Sequence, residues 1–140
     1  MISLFIRNKT FWSWIFILWS FVIVILNIVP NYTPPALKTN EDSVIPTDYI
    51  LHFLTFFLLP VFYFLSGEKN VLFKISYNIW LIFVAGLIFA VLVEAIQIFV
   101  PGRTFNPVDI IFNICGLLCG IPAGKLINII AIRSDKNNNL

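Results

Sequence analysis

The sequence predicts an all-α protein, a polytopic membrane bundle of four transmembrane helices. The first observation is composition, since 59% of the 140 residues are apolar and only 11% are charged, whereas soluble domains carry about 25% charged residues. A chain of this size buries only about two-thirds of its surface on folding, so the excess apolar surface must face lipid. The second observation is a set of four apolar runs, each near the roughly 20 residues that cross a bilayer.

The four runs define one domain over residues 1–140, with predicted spans at residues 11–29, 49–65, 77–100 and 108–132. The first run is longer than the apolar region of a signal peptide, and no small-residue cleavage site follows it. We therefore expect it to be a retained helix, ended by Pro30. The polar tail after residue 132 is expected to fray.

The lysines and arginines predict the orientation of the bundle, because cytoplasmic segments carry an excess of them. Seven lie on one side of the predicted spans and two on the other. The seven are Arg7, Lys9, Lys69, Lys74, Lys125, Arg133 and Lys136, and the two are Lys38 and Arg103. Both termini are therefore predicted to be cytoplasmic, with outer loops near residues 30–47 and 101–106.

Several other classes of protein are disfavoured. The net charge of +2 and the lack of a basic stripe argue against a nucleic-acid partner. Cys115 and Cys119 lie one helical turn apart inside an apolar run. That spacing predicts neither a disulfide framework nor a metal knuckle.

Ionisable residues within the predicted spans are the strongest functional signal. Each costs about 2.5–3.5 kcal/mol near mid-bilayer, so it usually faces protein and marks a function. The candidates are Asp48, His52, Glu94, Arg103 and Asp109, accompanied by the amides Gln97 and Asn113.

Spacing and topology predict that these groups converge. Asp48 and His52 share a helix face at i, i+4, and Glu94 and Gln97 do so at i, i+3. At 1.5 Å per residue, His52 lies roughly 6 Å inside its helix end, and Glu94 and Asn113 roughly 9 Å. All are expected in the outer third of the membrane. Because the inner halves carry almost no polar groups, we predict a pit open to the outside, and transport is disfavoured.

Each polar residue also has a purely structural interpretation. Residues 106–109 have the pattern of a helix start, with an asparagine cap, a proline and an acidic group in the first turn, so Asp109 could serve only the cap. Thr47 or Asp48 could cap the second helix, and His52 could be a packed histidine. Glu94 lies too deep to cap a helix, so its structural role would be a bond to another helix; the candidate partners are His52, Asn113 and Arg103.

A glycine stripe on the fourth span predicts close helix packing. Gly116, Gly120 and Gly124 form two overlapping small-xxx-small steps, which let helix backbones approach each other. The partner helix could belong to the same chain or to a second copy, so a homo-oligomer is one expectation.

The polar pattern resembles a known family. The series Asp48-x3-His52-Phe53 and then Glu94-x2-Gln97-x3-Pro101-Gly102-Arg103-x5-Asp109-x3-Asn113-x2-Gly116-x3-Gly120 resembles the VanZ-like family, over about residues 48–124. Tyr49 stands where that family often has lysine. The resemblance implies a bacterial cell membrane, a cell-envelope role and a link to teicoplanin resistance, without implying a reaction, and it marks the seven polar residues above as site residues.

Two functions from different classes follow. In the first, the site binds or acts on an envelope component such as a lipid-linked cell-wall intermediate. His52, oriented by Asp48, would serve as acid or base with Glu94 as its partner. Arg103 would hold a phosphate or carboxylate. Gln97, Asp109 and Asn113 complete the expected ligand-binding set.

The second function is a non-enzymatic membrane module that binds lipid or a partner protein, with the polar groups as a clasp between helices. The sequence leaves enzymatic activity open. No nucleophile is evident, and no cofactor is predicted. A metal site formed by Asp48, His52, Glu94 and Asp109 remains an open alternative, because mixed oxygen and nitrogen ligands suit several ions.

Overall fold

The computed structural model describes residues 8–29, 47–67, 78–101, 103 and 105–138. These residues form four helices, α1 (Lys9–Ile28), α2 (Thr47–Leu65), α3 (Ile79–Ile96) and α4 (Pro107–Asn138), with a short 3-10 turn (Gln97–Phe99) after α3. The described residues contain no strand. The predicted all-α fold class is confirmed.

The helix boundaries differ from the predicted spans mainly at the end of the chain. α4 continues to Asn138, about six residues beyond the predicted end, where the sequence predicts fraying. Most of the predicted first outer loop, and the loop with Lys69 and Lys74, lie outside the described residues.

Asparagine side chains cap three of the four helices at their start. Oδ1 of Asn8 accepts the Phe11 N–H at 3.0 Å, and Oδ1 of Asn78 accepts the Trp80 N–H at 3.0 Å. Asn106 does the same for α4, and Pro107 follows it at the first helical position. Each cap satisfies a backbone donor that the helix itself leaves unpaired.

All four helices are long and apolar enough to cross a membrane. Large apolar side chains remain exposed on the bundle surface, such as Trp80 (76% exposed) and Phe99 (85% exposed). Such a surface is stable in hydrocarbon and not in water. The chain is a multi-pass membrane protein.

Contacts between the helix ends show an up-down-up-down arrangement. The end of α1 meets the end of α3 through Asn27 and Gln97, and the starts of α2 and α4 meet through His52 and Asn113. We call this end of the bundle, marked by those four residues, the polar end.

The glycine stripe of α4 packs against α2 of the same chain. A Cβ at Gly116 would overlap the carbonyl oxygen of Phe53, and one at Gly120 would overlap that of Phe57. A Cβ at Gly124 would lie 2.9 Å from the Phe64 ring. This face of α4 is therefore covered within the chain, and a homo-oligomer through the glycines remains a prediction.

The apolar core lies between the helices, nearer the middle of the bundle than the polar end. It consists of the buried residues Ile23, Phe56, Leu59, Ala90, Val93 and Leu117. Trp19 packs beside it and donates its indole N–H to the Thr55 carbonyl at 2.9 Å. Trp19 is therefore a packed residue rather than an interfacial anchor.

Candidate functional site

Buried polar side chains from all four helices meet at the polar end. Each of them is at most 7% exposed, in a bundle that is otherwise apolar inside; they are Asn27, His52, Glu94, Gln97, Asp109 and Asn113. Five of these six are candidates from the sequence, and the structure brings them together as the topology predicts. The sixth, Asn27, is new.

Asn27, Gln97 and Glu94 form the first half of the cluster, between α1 and α3. Asn27 donates to the Ile23 carbonyl at 2.8 Å and accepts from Nε2 of Gln97 at 2.6 Å. The same Nε2 donates to Oε2 of Glu94 at 3.3 Å. These hydrogen bonds offset the free-energy cost of burying two amides and a carboxylate in an apolar bundle.

Asn106 joins this half to the start of α4. Its backbone N–H donates to Oε1 of Glu94 at 2.9 Å, and its Nδ2 donates to Oδ1 of Asp109 at 3.0 Å. One residue thus caps α4, holds the Glu94 carboxylate and orients the Asp109 carboxylate. The partners of Glu94 are therefore Gln97 and a backbone N–H, and differ from the three side chains that the sequence suggested.

His52 sits between two residues of α4. Its Nδ1 lies 3.1 Å from Oδ1 of Asn113, and its Nε2 lies 3.6 Å from Oδ2 of Asp109. An amide oxygen only accepts hydrogen bonds, so Nδ1 carries the proton in this contact. The ring is oriented by Asn113 and Asp109, whereas the sequence suggested Asp48.

Asp48 completes the group from the first turn of α2. A carboxylate oxygen of Asp48, a ring nitrogen of His52 and a carboxylate oxygen of Asp109 all lie within 4.8 Å of one another. Asp48 is half-buried, whereas His52 and Asp109 are buried. Asp48 is therefore the member of this group that is open to a ligand from outside the bundle.

Arg103 binds the end of α1 and does not pair with Glu94. Its guanidinium donates to the Val29 carbonyl from Nε at 3.3 Å and from Nη2 at 3.2 Å, and Nη2 also donates to the Leu26 carbonyl at 3.3 Å. These carbonyls carry the negative end of the α1 dipole and lack intrahelical donors. The arginine predicted to bind a ligand anion thus caps a helix in this structure.

The charges of the cluster do not balance. It holds the three carboxylates Asp48, Glu94 and Asp109 against one imidazole, and the described contacts of Arg103 go to backbone carbonyls. Unpaired charge at this depth is costly. Arg103 acts on Asp109 through its charge without a direct contact, and protons or a bound cation are the other sources of positive charge for the cluster.

Two members of the cluster, Asn27 and Asn106, are not among the site residues predicted from the sequence. Asn27 is a single amide near the outer end of the first apolar run, at about the depth predicted for Gln97, which lies three residues inside the end of the third run. That shared depth is the signal that points to it. For Asn106, the capping pattern was visible, but a backbone N–H directed at Glu94 has no sequence signature.

A cavity of about 320 Å³ lies between the helices, further from the polar end of the bundle than the polar cluster. Its walls come from all four helices; they include Phe16, Leu59, Ala85, Phe89 and Leu117. Leu117 lies one helical turn from Asn113, so the apolar cavity begins where the polar cluster stops. The polar groups themselves pack against one another, and an outward-facing polar pocket remains a prediction.

The fold and this cluster define a four-helix membrane protein with a buried polar centre at one end. A family model described as VanZ/LLP1 matches residues 1–128, and the chain belongs to the VanZ/LLP1 family. Comparison with curated proteins and with solved structures finds no match.

Proposed function

We propose that the polar end of this VanZ/LLP1 protein faces the outside of a bacterial plasma membrane and binds or acts on a cell-envelope component. A lipid-linked cell-wall intermediate has the required chemistry, since its polar group would meet the cluster while its chain stays in the bilayer. The proposal includes a contribution to teicoplanin resistance. Both termini would be cytoplasmic, because seven of the nine lysines and arginines lie on that side.

The observation that carries the proposal is the position of His52. It lies between Asp109 and Asn113 and is joined through Asp109 and Asn106 to Glu94. A histidine held by a carboxylate and an amide is suited to moving a proton near neutral pH. A purely mechanical clasp could be built from amides alone, at a lower cost of burying charge.

In this proposal the predicted catalytic residues have different roles. Half-buried Asp48 would contact the bound component first, with the buried imidazole of His52 next to it. Glu94 is completely buried, so it acts as a positioning residue for Asp109 through Asn106. Gln97 holds Glu94, and Asn113 holds the imidazole.

Susceptibility to teicoplanin in a sensitive bacterial host tests the proposal. The host would express the wild type, His52→Gln, or the control Cys119→Ser, at matched membrane levels. Cys119 is exposed on α4 and lies nearly three turns beyond the cluster residue Asp109. We expect the wild type and the control to raise resistance and His52→Gln to lose the effect.

Equal resistance from all three proteins would show that the imidazole has no functional role. If the wild type raises no resistance, the antibiotic part of the proposal is wrong. Binding of a lipid-linked cell-wall precursor to the purified protein then tests the remaining part.

A second candidate function is favoured by the apolar cavity. In a bilayer, a cavity with these walls would take a lipid chain, so the protein would be a non-enzymatic lipid-binding module. Ala85 lines the cavity and neighbouring Val84 does not. Lipid retained by the purified protein should fall in Ala85→Phe and stay unchanged in Val84→Phe, as measured by native mass spectrometry.

A further inference from the structure

We propose that Asp48, His52 and Asp109 bind a divalent transition-metal ion of the zinc–manganese class. The inference rests on the proposed function only for the location of the site, and it adds a ligand that the family assignment does not supply. With an ion at Nε2 and Nδ1 held by Asn113, the imidazole of His52 would serve as a metal ligand in place of the proton-transfer role. Its evidence comes from three features: the distance between His52 and Asp109, the surroundings of the imidazole, and the charge of the cluster.

The distance between His52 Nε2 and Asp109 Oδ2 is 3.6 Å. This is too long for an N–H···O hydrogen bond, whose usual length is about 2.9–3.0 Å. Ligand bonds of about 2.0–2.1 Å to a tetrahedral ion place two ligand atoms about 3.3–3.4 Å apart. The separation therefore fits two ligands of one ion better than it fits a direct bond.

The third ligand comes from the same face of α2 as His52. Asp48 and His52 are four residues apart, which places both side chains on one helix face, and Asp48 belongs to the group whose ligand atoms lie within 4.8 Å of one another. Two helices thus bring one nitrogen and two oxygens within 4.8 Å of one another. Three protein ligands leave at least one position of the ion open for water or substrate.

The ring nitrogen of His52 that faces away from Asp109 makes the hydrogen bond that metal-bound histidines usually make. Nδ1 donates to Oδ1 of Asn113 at 3.1 Å, which leaves the lone pair of Nε2 directed towards the carboxylate of Asp109. Metal-ligating histidines generally donate their other ring N–H to an oxygen acceptor, which fixes the tautomer. Without a cation or a second proton, the lone pair of Nε2 and the carboxylate would repel each other.

The other end of the Asn113 amide also indicates a missing group. It is completely buried, and its Nδ2 has no hydrogen-bond partner among the described residues. A buried donor without a partner costs free energy, and native structures contain few of them. The amide lies against His52, and an oxygen bound at the open position of the ion is the kind of acceptor that this donor lacks.

The charge of the cluster agrees with a divalent ion. A neutral imidazole with the two ligand carboxylates carries a charge of −2 that a divalent cation cancels. The third carboxylate of the cluster, Glu94, is not a ligand and accepts hydrogen bonds from Gln97 and the Asn106 backbone instead. The mixture of one imidazole and two carboxylates suits zinc or manganese, whereas magnesium and calcium prefer ligand sets made of oxygen alone.

Metal binding to the purified full-length chain tests the inference. Zn²⁺ and Mn²⁺ would be titrated in detergent, with Mg²⁺ as the comparison ion, in a Cys115→Ser, Cys119→Ser background because exposed thiols also bind zinc. We expect about one bound ion per chain. Substituted Co²⁺ should show a visible spectrum of nitrogen and oxygen ligands.

The variants Asp48→Asn, Asp109→Asn and His52→Gln should each weaken binding by on the order of 100-fold, since even outer-shell changes cost about 10–100-fold. Ser13→Ala is the matched control, because it removes a buried polar group near the start of α1, at the opposite end of the bundle, and it should retain binding within a few-fold. If a variant does not fold, the unfolding temperature of the wild type tests the metal site instead. Zn²⁺ or Mn²⁺ should raise this temperature, and Mg²⁺ should not.

No saturable binding by the wild type, or equal binding by the wild type and all three ligand variants, would overturn the metal site. Either result would leave the envelope function untouched, since that is read from teicoplanin susceptibility. Conversely, one bound ion without any resistance phenotype would support the metal site and count against the antibiotic part of the proposed function.

Discussion

The backbone N–H of Asn106 donates to Oε1 of Glu94 at 2.9 Å, and this bond ties the start of α4 to the end of α3. Glu94 takes a second bond from Gln97 on its other oxygen. A carboxylate is therefore required here as a double acceptor, whatever its role in chemistry. Its two donors, Gln97 and Asn106, lie three and twelve residues after Glu94 in the sequence.

Replacement of Glu94 by glutamine should destabilise the protein, although the two side chains have the same shape. A glutamine offers one acceptor oxygen and one NH₂ donor, so one of the two donors would face another donor. A buried unsatisfied group costs about 1–3 kcal/mol. Thermal unfolding in detergent measures the effect.

The control for this prediction is Cys119→Ser, an exposed change on α4 that should leave the unfolding temperature unchanged. An equally stable Glu94→Gln would mean that the carboxylate does not accept both bonds. In that case a loss of resistance in this variant would indicate a direct functional role for the charge.

Much of this arrangement could be predicted because depth follows from residue position along a spanning helix. His52, Glu94 and Asn113 lie at similar depths once the four apolar runs are assigned, and their meeting requires only alternating helix directions. The packing of Gly116 and Gly120 also follows from spacing, although the sequence left open which helix they contact.

The individual hydrogen bonds could not be predicted, because they depend on the path of the connection between α3 and α4. Arg103 lies in that connection, and the sequence suggested Glu94 as its partner, yet the chain directs it at Val29 and Leu26. Glu94 instead meets the Asn106 backbone. A backbone donor is present at nearly every residue, so no sequence pattern marks the one that is used.

The contacts of Arg103 predict that Arg103→Lys will loosen the end of α1. A guanidinium donates from several nitrogens in a fixed fork, whereas an ammonium is a single point charge and would not hold both carbonyls in the same geometry. We expect a loss of about 1 kcal/mol, with faster amide hydrogen exchange near residues 26–29. The exchange near the start of α1 should not change.

Unchanged exchange in Arg103→Lys, together with lost resistance, would contradict the helix-capping interpretation. That combination would instead support the role expected from the sequence, in which Arg103 binds an anionic group of the ligand.

The glycines predict a graded response to alanine. At Gly120 a Cβ would overlap the Phe57 carbonyl, which belongs to the backbone and has little freedom to move. At Gly86 a Cβ would lie 2.8 Å from Cδ2 of Leu117, the end of a side chain that is able to rotate away. Gly120→Ala should therefore cost about 1–3 kcal/mol or more, and Gly86→Ala clearly less.

Unfolding temperature and membrane yield measure this pair of variants. A milder effect at Gly120 than at Gly86 would contradict the close approach of α2 and α4. If Gly120→Ala changed only the oligomeric state and left the stability of the chain unchanged, the glycine face would be an interface between copies.

The bond between Asn27 and Gln97 predicts energetic coupling between α1 and α3. Gln97 Nε2 donates to Asn27 Oδ1 at 2.6 Å, with both side chains buried. Side-chain hydrogen bonds between membrane helices have coupling energies of about 0.6 kcal/mol on average and up to about 1.7 kcal/mol. We expect a value in the upper half of that range, because Gln97 also holds Glu94 and Asn27 is itself fixed by its bond to the Ile23 carbonyl.

The variants Asn27→Leu, Gln97→Leu and the double replacement would form the cycle, read as free energies of unfolding in detergent. The same cycle between Asn27 and Cys115 should show no coupling, since Cys115 is exposed on α4, whereas Asn27 is buried at the end of α1, and sites without shared partners are additive. If the coupling energy between Asn27 and Gln97 is no larger than that of the control pair, their hydrogen bond does not stabilise the contact between α1 and the polar cluster.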